Sequence, residues 1–234
     1  MSVIYIDSYR LGVSGPSDPY FSNVALLLHG DGTNGSTTII DSSPSSKTVT
    51  AFGDAQISTA QSKFGSAIAF DAVGDRLTAS SADFAFGTGD FTIETWLYVI
   101  TIGVERGFMQ TSDVAGGLKP SYLTGVTLYF AGSNTIVARI GGATITSTTS
   151  AFSLNTWFHF ALTRNNGSVK IFVNGVERAS GSSSDNCIGQ NIVVGGYYDA
   201  SYLYNGYIDD FRITKGVARY TSNFTPPTAP FPNS

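Results

Sequence analysis

The chain has 234 residues, of which 13% are charged and 13% aromatic, with 26 glycines and a net charge of −4. That length fits one large all-β domain or two small ones and is enough to bury a substantial core. The acidic balance argues against nucleic acid, whose phosphates need clustered Lys and Arg, and the single Cys187 excludes an intramolecular disulfide or thiolate metal cluster.

No run approaches the ~18 apolar residues of a membrane-spanning helix. The opening MSVIYIDSYRLG lacks the cationic start and long apolar stretch of a secretory signal. No window sustains helical apolar spacing over three turns, whereas β-branched, aromatic and turn-forming residues abound. The expectation is an all-β chain.

In chain order, Val3, Ile4, Tyr5, Ile6, Tyr9 and Leu11 form a short β-prone run ahead of a Gly/Ser/Pro segment. Residues 1–22 read as an arm and linker: either an edge strand or frayed end, or a segment that pairs with another chain. The domain proper begins at residue 23. Val24 to Leu28 is a short apolar strand, Thr48–Phe52 and Gln56–Ser58 are weaker ones, and Ala67–Phe70 turns through Asp71–Asp75 into Arg76–Ala79. Phe91 to Val99 is the longest clean strand. Its alternation sets Phe91, Ile93, Leu97 and Val99 on one side, and Glu94, Trp96 and Tyr98 on the other. Residues 101–121 read as an irregular Gly-rich insertion. Three short strands follow, over 125–131, 136–140 and 144–148.

Two Asn-Gly pairs, Asn166-Gly167 and Asn174-Gly175, then punctuate alternating apolar runs, the strongest short-range hairpin signal. They predict a three-strand meander in which Arg164 faces Val169, Leu162 faces Ile171 and Phe160 faces Val173. The opposite face carries Trp157, His159, Ala161 and Phe172. Both faces are apolar, which predicts a place in the middle of a sandwich. Ser180–Asp185 reads as a loop, Ile192–Val194 as a buried strand, 197–205 as a Tyr-rich loop and Tyr207–Ile213 as the last strong strand. The Pro-rich tail, 216–234, should lie extended on the surface, pinned by Tyr220 and Phe224.

The ordered motifs KFGSAIAFD, FTIETW, NTWFHFALTR, VKIFVNG and YNGYIDDFRI resemble the laminin-G-like, concanavalin-A-like jelly-roll family over roughly Val24 to Ile213. The resemblance implies a two-sheet antiparallel β-sandwich spanning 23–215. The flanks DPYFSNVALLLHGDGTNGSTTIIDSSPSSKTVTA and GVARYTSNFTPPTAPFP look like the versions carried by tailed-phage virion proteins. They imply a virion setting, assembly in a bacterial cytoplasm, other virion proteins as partners and a homo-oligomer.

Glycanases among such relatives need two flanking carboxylates. The three glutamates, Glu94, Glu105 and Glu177, have no acidic neighbour two residues away, so Glu94 reads as structural. With His29 and His159 the only histidines and no nucleophile elbow, nucleophilic catalysis is not indicated. His159 reads as a satisfied core histidine. The resemblance raises Ca²⁺, for which Asp31 with Asn34, Asp41, and Asp209 or Asp210 are the candidates. Their alternative is turn formation and capping. Tyr197, Tyr198, Asp199, Tyr202 and Tyr204 form a candidate ligand or partner loop, suited in composition to sugar or protein. The expected function is a non-enzymatic capsid decoration or small appendage of a phage. The alternative is a carbohydrate-binding adhesion module, and a glycanase comes last.

Overall fold

A computed structural model describes residues 17–103, 105–114, 124–197 and 202–234. Fifteen strands are present among the described residues. The first five are β1 (Val24–Leu28), β2 (Thr50–Phe52), β3 (Gln56–Ser58), β4 (Ala67–Asp71) and β5 (Arg76–Ser80). The middle of the chain gives β6 (Phe91–Val99), β7 (Arg106–Ser112), β8 (Val126–Ala131), β9 (Thr135–Ile140) and β10 (Ala143–Thr146). The last five are β11 (Trp157–Asn165), β12 (Ser168–Val173), β13 (Val176–Ser182), β14 (Asn191–Val194) and β15 (Asn205–Lys215).

They form two antiparallel sheets, as an all-β sandwich requires. The eight-stranded sheet runs β13-β12-β11-β6-β15-β4-β3, with β1 also pairing β15. The seven-stranded sheet runs β10-β9-β8-β7-β14-β5-β2. Their inner faces close one apolar core. Phe108 of β7 reaches across the layers to Phe160 of β11, ring centroids 5.2 Å apart at 82°, an edge-to-face pair.

The meander has the expected register, with Arg164 opposite Val169, Leu162 opposite Ile171 and Phe160 opposite Val173. Positive φ at Asn166, Gly167, Asn174 and Gly175 gives both turns the twist that suits a two-residue hairpin. Its expected central position is wrong. It occupies one end of the eight-stranded sheet, with β13 as the edge. The second apolar face is covered instead by the chain's own tail. Residues 101–121 also depart from expectation, because seven of them form β7, whose RGFMQTS is buried from Gly107 to Ser112. A strand covered on both faces shows no alternation, which is why it read as irregular.

The tail lies extended along the outer face of the eight-stranded sheet. Phe224 N donates to Gly175 O at 2.9 Å, and the Tyr220 and Phe224 rings stack 3.6 Å apart over the His159 and Phe172 side chains. Further on, Phe231 N donates to Asp210 Oδ2 at 2.7 Å, and the Arg212 guanidinium sits 3.7 Å over the Phe231 ring. Asp18 N donates to Ser234 O at 2.7 Å. Residues from Asp18 onward thus belong to the sandwich rather than to a separate linker. Residues 1–16, with the arm's Val3, Ile4, Tyr5, Ile6, Tyr9 and Leu11, lie outside the described residues.

Candidate functional site

Strand register divides the outer face of the eight-stranded sheet into rows. Around Glu94 the face is sealed by charge. Arg212 Nε and Nη2 donate to Glu94 Oε1 at 3.0 and 2.8 Å, and the Tyr220 hydroxyl donates to Oε2 at 2.8 Å. Arg212 and Arg219 also hold the buried Asp18 at 2.7–3.1 Å. Burial alone would raise the Glu94 carboxyl, but the charge of Arg212, with His159 and Arg219 beside it, holds it down to about 2. His159 is fully buried, yet among the described residues neither ring nitrogen has a hydrogen-bond partner, and Nε2 stands 3.5 Å from Glu94 Oε2. One row along, Trp96 is covered by Phe64 in an edge-on contact and by Lys63 Nζ, 4.0 Å from the ring centre.

The next row stays half-exposed. Trp157 pairs with Tyr98, Tyr98 with Tyr207, Tyr207 with Ala69 and Ala69 with Gln56, across five consecutive strands. The Tyr98 ring lies 5.5 Å from Trp157 and 5.8 Å from Tyr207. Beyond Tyr207 the small Ala69 side chain floors a cavity of about 170 Å³ rimmed by Asp54, Gln56, Asp71, Asp75 and Asn205. Two turns that cross between the sheets, β2 to β3 and β4 to β5, bring these aspartates together. Buried Asp75 ties the turns, accepting from Asp54 N at 2.8 Å and Asp71 N at 2.9 Å. Burial pushes its carboxyl up to about 6 against the pull of those amides, with the charge of Asp71 adding to the rise. Asp54 and Asp71 are exposed, and one carboxylate oxygen from each of the three lies within 4.8 Å of the others. This donor set fits a hard divalent cation such as Ca²⁺.

The aspartates singled out in the sequence lie elsewhere. Asp41 accepts from Leu27 N, Ser43 N, Ser43 Oγ and Lys47 N, filling the roughly four lone-pair sites of a carboxylate, so it staples a loop. Asp31 accepts from Ser66 N and Oγ. Asp209 and Asp210 sit at a bulge in β15, where Asp210 has φ +52° and the strand changes neighbour from β4 to β1. Asp209 Oδ2 accepts from Lys63 N and Phe64 N. Burial, reinforced by Asp210 and Asp31, pushes its carboxyl up to about 7. Asp210 faces His29, whose Nδ1 is 2.5 Å from Oδ1 and whose Nε2 is 2.6 Å from Asn233 Oδ1. Asp31, Asp41 and Asp209 are not brought to one point.

In the tyrosine loop, Tyr198 and Asp199 lie outside the described residues. Tyr204 is a core residue with no exposure, its hydroxyl directed at the Tyr98 and Tyr207 carbonyls. Tyr197 is buried against Tyr129, and Tyr202 is 46% exposed. The sequence set Tyr98 on the side of its strand opposite Phe91 and Ile93, but it read the face carrying Trp157 as buried, where the residue stays half-exposed. It gave no sign that Tyr207 would join them, or that Asp54 would meet Asp71 and Asp75.

The laminin G-type profile described as concanavalin A-like lectin/glucanases superfamily matches residues 71–219. The chain belongs to this superfamily. A search of curated protein sequences finds no match to it. Among solved structures, the superfamily fold recurs in the binding domain of botulinum neurotoxin serotype G, with TM-score 0.63 and 16% identity over 87% of this chain and 49% of that one. The serotype D binding domain gives TM-score 0.65 and 15% identity over 86% and 50%. The binding domain of botulinum neurotoxin DC in complex with SialylT gives 0.60 and 15% over 84% and 49%. The chain spans about half the length of these structures, and at such identity the likeness is one of fold.

Proposed function

We propose that this sandwich is a non-catalytic carbohydrate-recognition module. The observation that carries the reading is the half-exposed row Trp157, Tyr98 and Tyr207, continued by Gln56 and Asn205. Aromatic rings offer flat apolar faces to sugar rings, and side-chain amides offer paired donors and acceptors to hydroxyls. Membership of a superfamily that includes lectins supports sugar as the ligand class, as does a similar fold solved with SialylT. The occupied oxygens of Glu94 and its lowered pKa oppose a general-acid role for it. A calcium ion, where one takes part, occupies Asp54, Asp71 and Asp75 in competition with any cationic group of the ligand.

Glycan-array binding with wild type and Trp157→Ala tests the reading. Retention of a glycan by wild type and its loss in Trp157→Ala is expected. No retained glycan, or equal retention by both, overturns it.

The virion setting rests on the resemblance of the flanks and is part of the proposal, as are virion partners and homo-oligomerisation. Counting copies per purified particle against the major shell protein separates decoration from a rarer appendage. Deleting residues 1–16 should release the protein from particles while sparing sugar binding, and undiminished attachment would remove the arm from this account.

A further inference from the structure

The row and the cavity beside it differ in character, and the difference bears on which sugar is bound. Trp157, Tyr98 and Tyr207 stand on three adjacent strands, so the row crosses about two strand spacings, roughly 10 Å. Tyr98 is tilted 56° to Trp157 and 77° to Tyr207, so a linear oligosaccharide laid across the strands would meet these rings one at a time. Its next unit then descends onto the Ala69 floor, between Tyr207 and Gln56. The cavity there, about 170 Å³, suits one small ring rather than a branched ligand.

The charge around that unit is of one sign. Asp54, Asp71 and Asp75 line it, and among the described residues no lysine, arginine or histidine does. Arg76, next in sequence to Asp75, is turned away, with its guanidinium 4.1 Å over the Phe52 ring and Nη1 donating to Gly74 O at 3.1 Å. Carboxylates this close repel one another, so a cation entering the cavity is drawn in and an anion is rejected. The face of Tyr207 favours the same sign.

Building on the carbohydrate-recognition reading, we propose that the aromatic row and this cavity together select a glycan carrying a free, protonated amino sugar at the cavity unit. Neutral N-acetylated chains bind more weakly, and uronic or sialic acids are turned away. The aromatic row supplies attraction for sugar of any charge, and the aspartates supply the selection.

The test is calorimetric titration of the full chain with chitosan tetraose, chitin tetraose and an oligogalacturonate of equal length. It is run with a chelator present, at a pH where the glucosamine amine is protonated. Chitosan tetraose is expected to bind at least about tenfold tighter than chitin tetraose, with no heat from the galacturonate. Asp71→Asn keeps an oxygen for Val73 N, which Asp71 Oδ1 now binds at 2.6 Å, and should bring the chitosan-to-chitin ratio close to one. Asp113→Asn, an exposed change elsewhere on the surface, should leave the ratio as it is and so separates the cavity from bulk charge. Equal or tighter binding of chitin, any binding of galacturonate, or an unchanged ratio in Asp71→Asn overturns the amino-sugar assignment. If these three are silent while a Trp157-dependent glycan is found on the array, only that assignment falls. Silence on the array as well removes the recognition reading beneath it.

Discussion

Arg212 and Glu94 stand opposite each other on β15 and β6 and form a paired contact, two guanidinium nitrogens on one carboxylate oxygen, with neither partner more than 5% exposed. The tail closes over this pair through Tyr220 and Arg219. The outer face of the sheet is therefore built from two distant parts of the chain.

Breaking the pair at Glu94 leaves Arg212 and Arg219 short of counter-charge in a buried place. Glu94→Gln is expected to cost about 3–5 kcal/mol of stability. Its pH dependence has a definite sign. A carboxyl held at about 2, against 4.5 when unfolded, stabilises the fold above pH 4.5, and the contribution fades as pH falls from there toward 2. Urea midpoints followed down this window should fall more steeply for wild type than for Glu94→Gln. Parallel curves would remove Glu94 from the account of acid stability.

Gly175 is where the tail crosses the meander. A Cβ there would overlap the carbonyl oxygen of Phe224, and its φ of +74° is unfavourable for a side chain. Gly167 shares the conformation, φ +80°, but its added Cβ would meet only an ordinary contact at 3.7 Å. Both alanine variants should lose about 1–2 kcal/mol to backbone strain. Gly175→Ala should lose at least about 1 kcal/mol more from overcrowding. Chemical denaturation of the two variants measures the difference, and equal losses would mean that the tail is not held at this point.

His29 and Asp209, neighbours through Asp210, both make the fold less stable as pH rises. Burial lowers the His29 pKa, but its bonds to Asp210 and Asn233, with the charges of Asp210 and Asp31, raise it above 6.5. Its contribution is complete below pH 6.5 and is lost as pH rises through the folded value. Asp209, raised from 3.8 to about 7, adds a cost that grows over that interval. Asp209→Asn keeps an oxygen for Lys63 N and Phe64 N. It should be more stable than wild type above pH 7, by up to about 4 kcal/mol, the worth of three pKa units. His29→Gln should flatten the remaining slope. Thermal midpoints of the three proteins across this range decide the matter, and a wild type that gains stability with rising pH contradicts both assignments.

Calcium has a direct readout through Asp54, Asp71 and Asp75. Ion at a hundredfold excess over its dissociation constant stabilises a folded protein by about 2.7 kcal/mol. Melting temperature should therefore climb with added Ca²⁺, return on chelation, and stay level in Asp71→Asn. A wild type indifferent to calcium leaves these carboxylates without a metal role.

The Asn-Gly pairs carried the meander's register because a two-residue turn leaves the flanking strands no alternative pairing. The alternation of Phe91 to Val99 likewise told which side chains face the core. Legibility stopped where order along the chain and position in space part company. Trp157 and His159 read as facing a second layer; residues 216–234 supply that layer over His159, whereas Trp157 stays half-exposed. Tyr204 read as part of a Tyr-rich ligand or partner loop, yet its ring belongs to the core. Asp54 and Asp75 are twenty-one positions apart in sequence, and only the pairing of two sheet-crossing turns makes them neighbours.

The hydrogen bond from Asp18 N to Ser234 O has a practical consequence. Positions 18 and 234 can be fused through a short linker and the chain reopened at Asn166-Gly167, giving a circular permutant in which every strand keeps its neighbours. The same closeness lets residues 18–234 be spliced into a surface loop of another protein and held at one point.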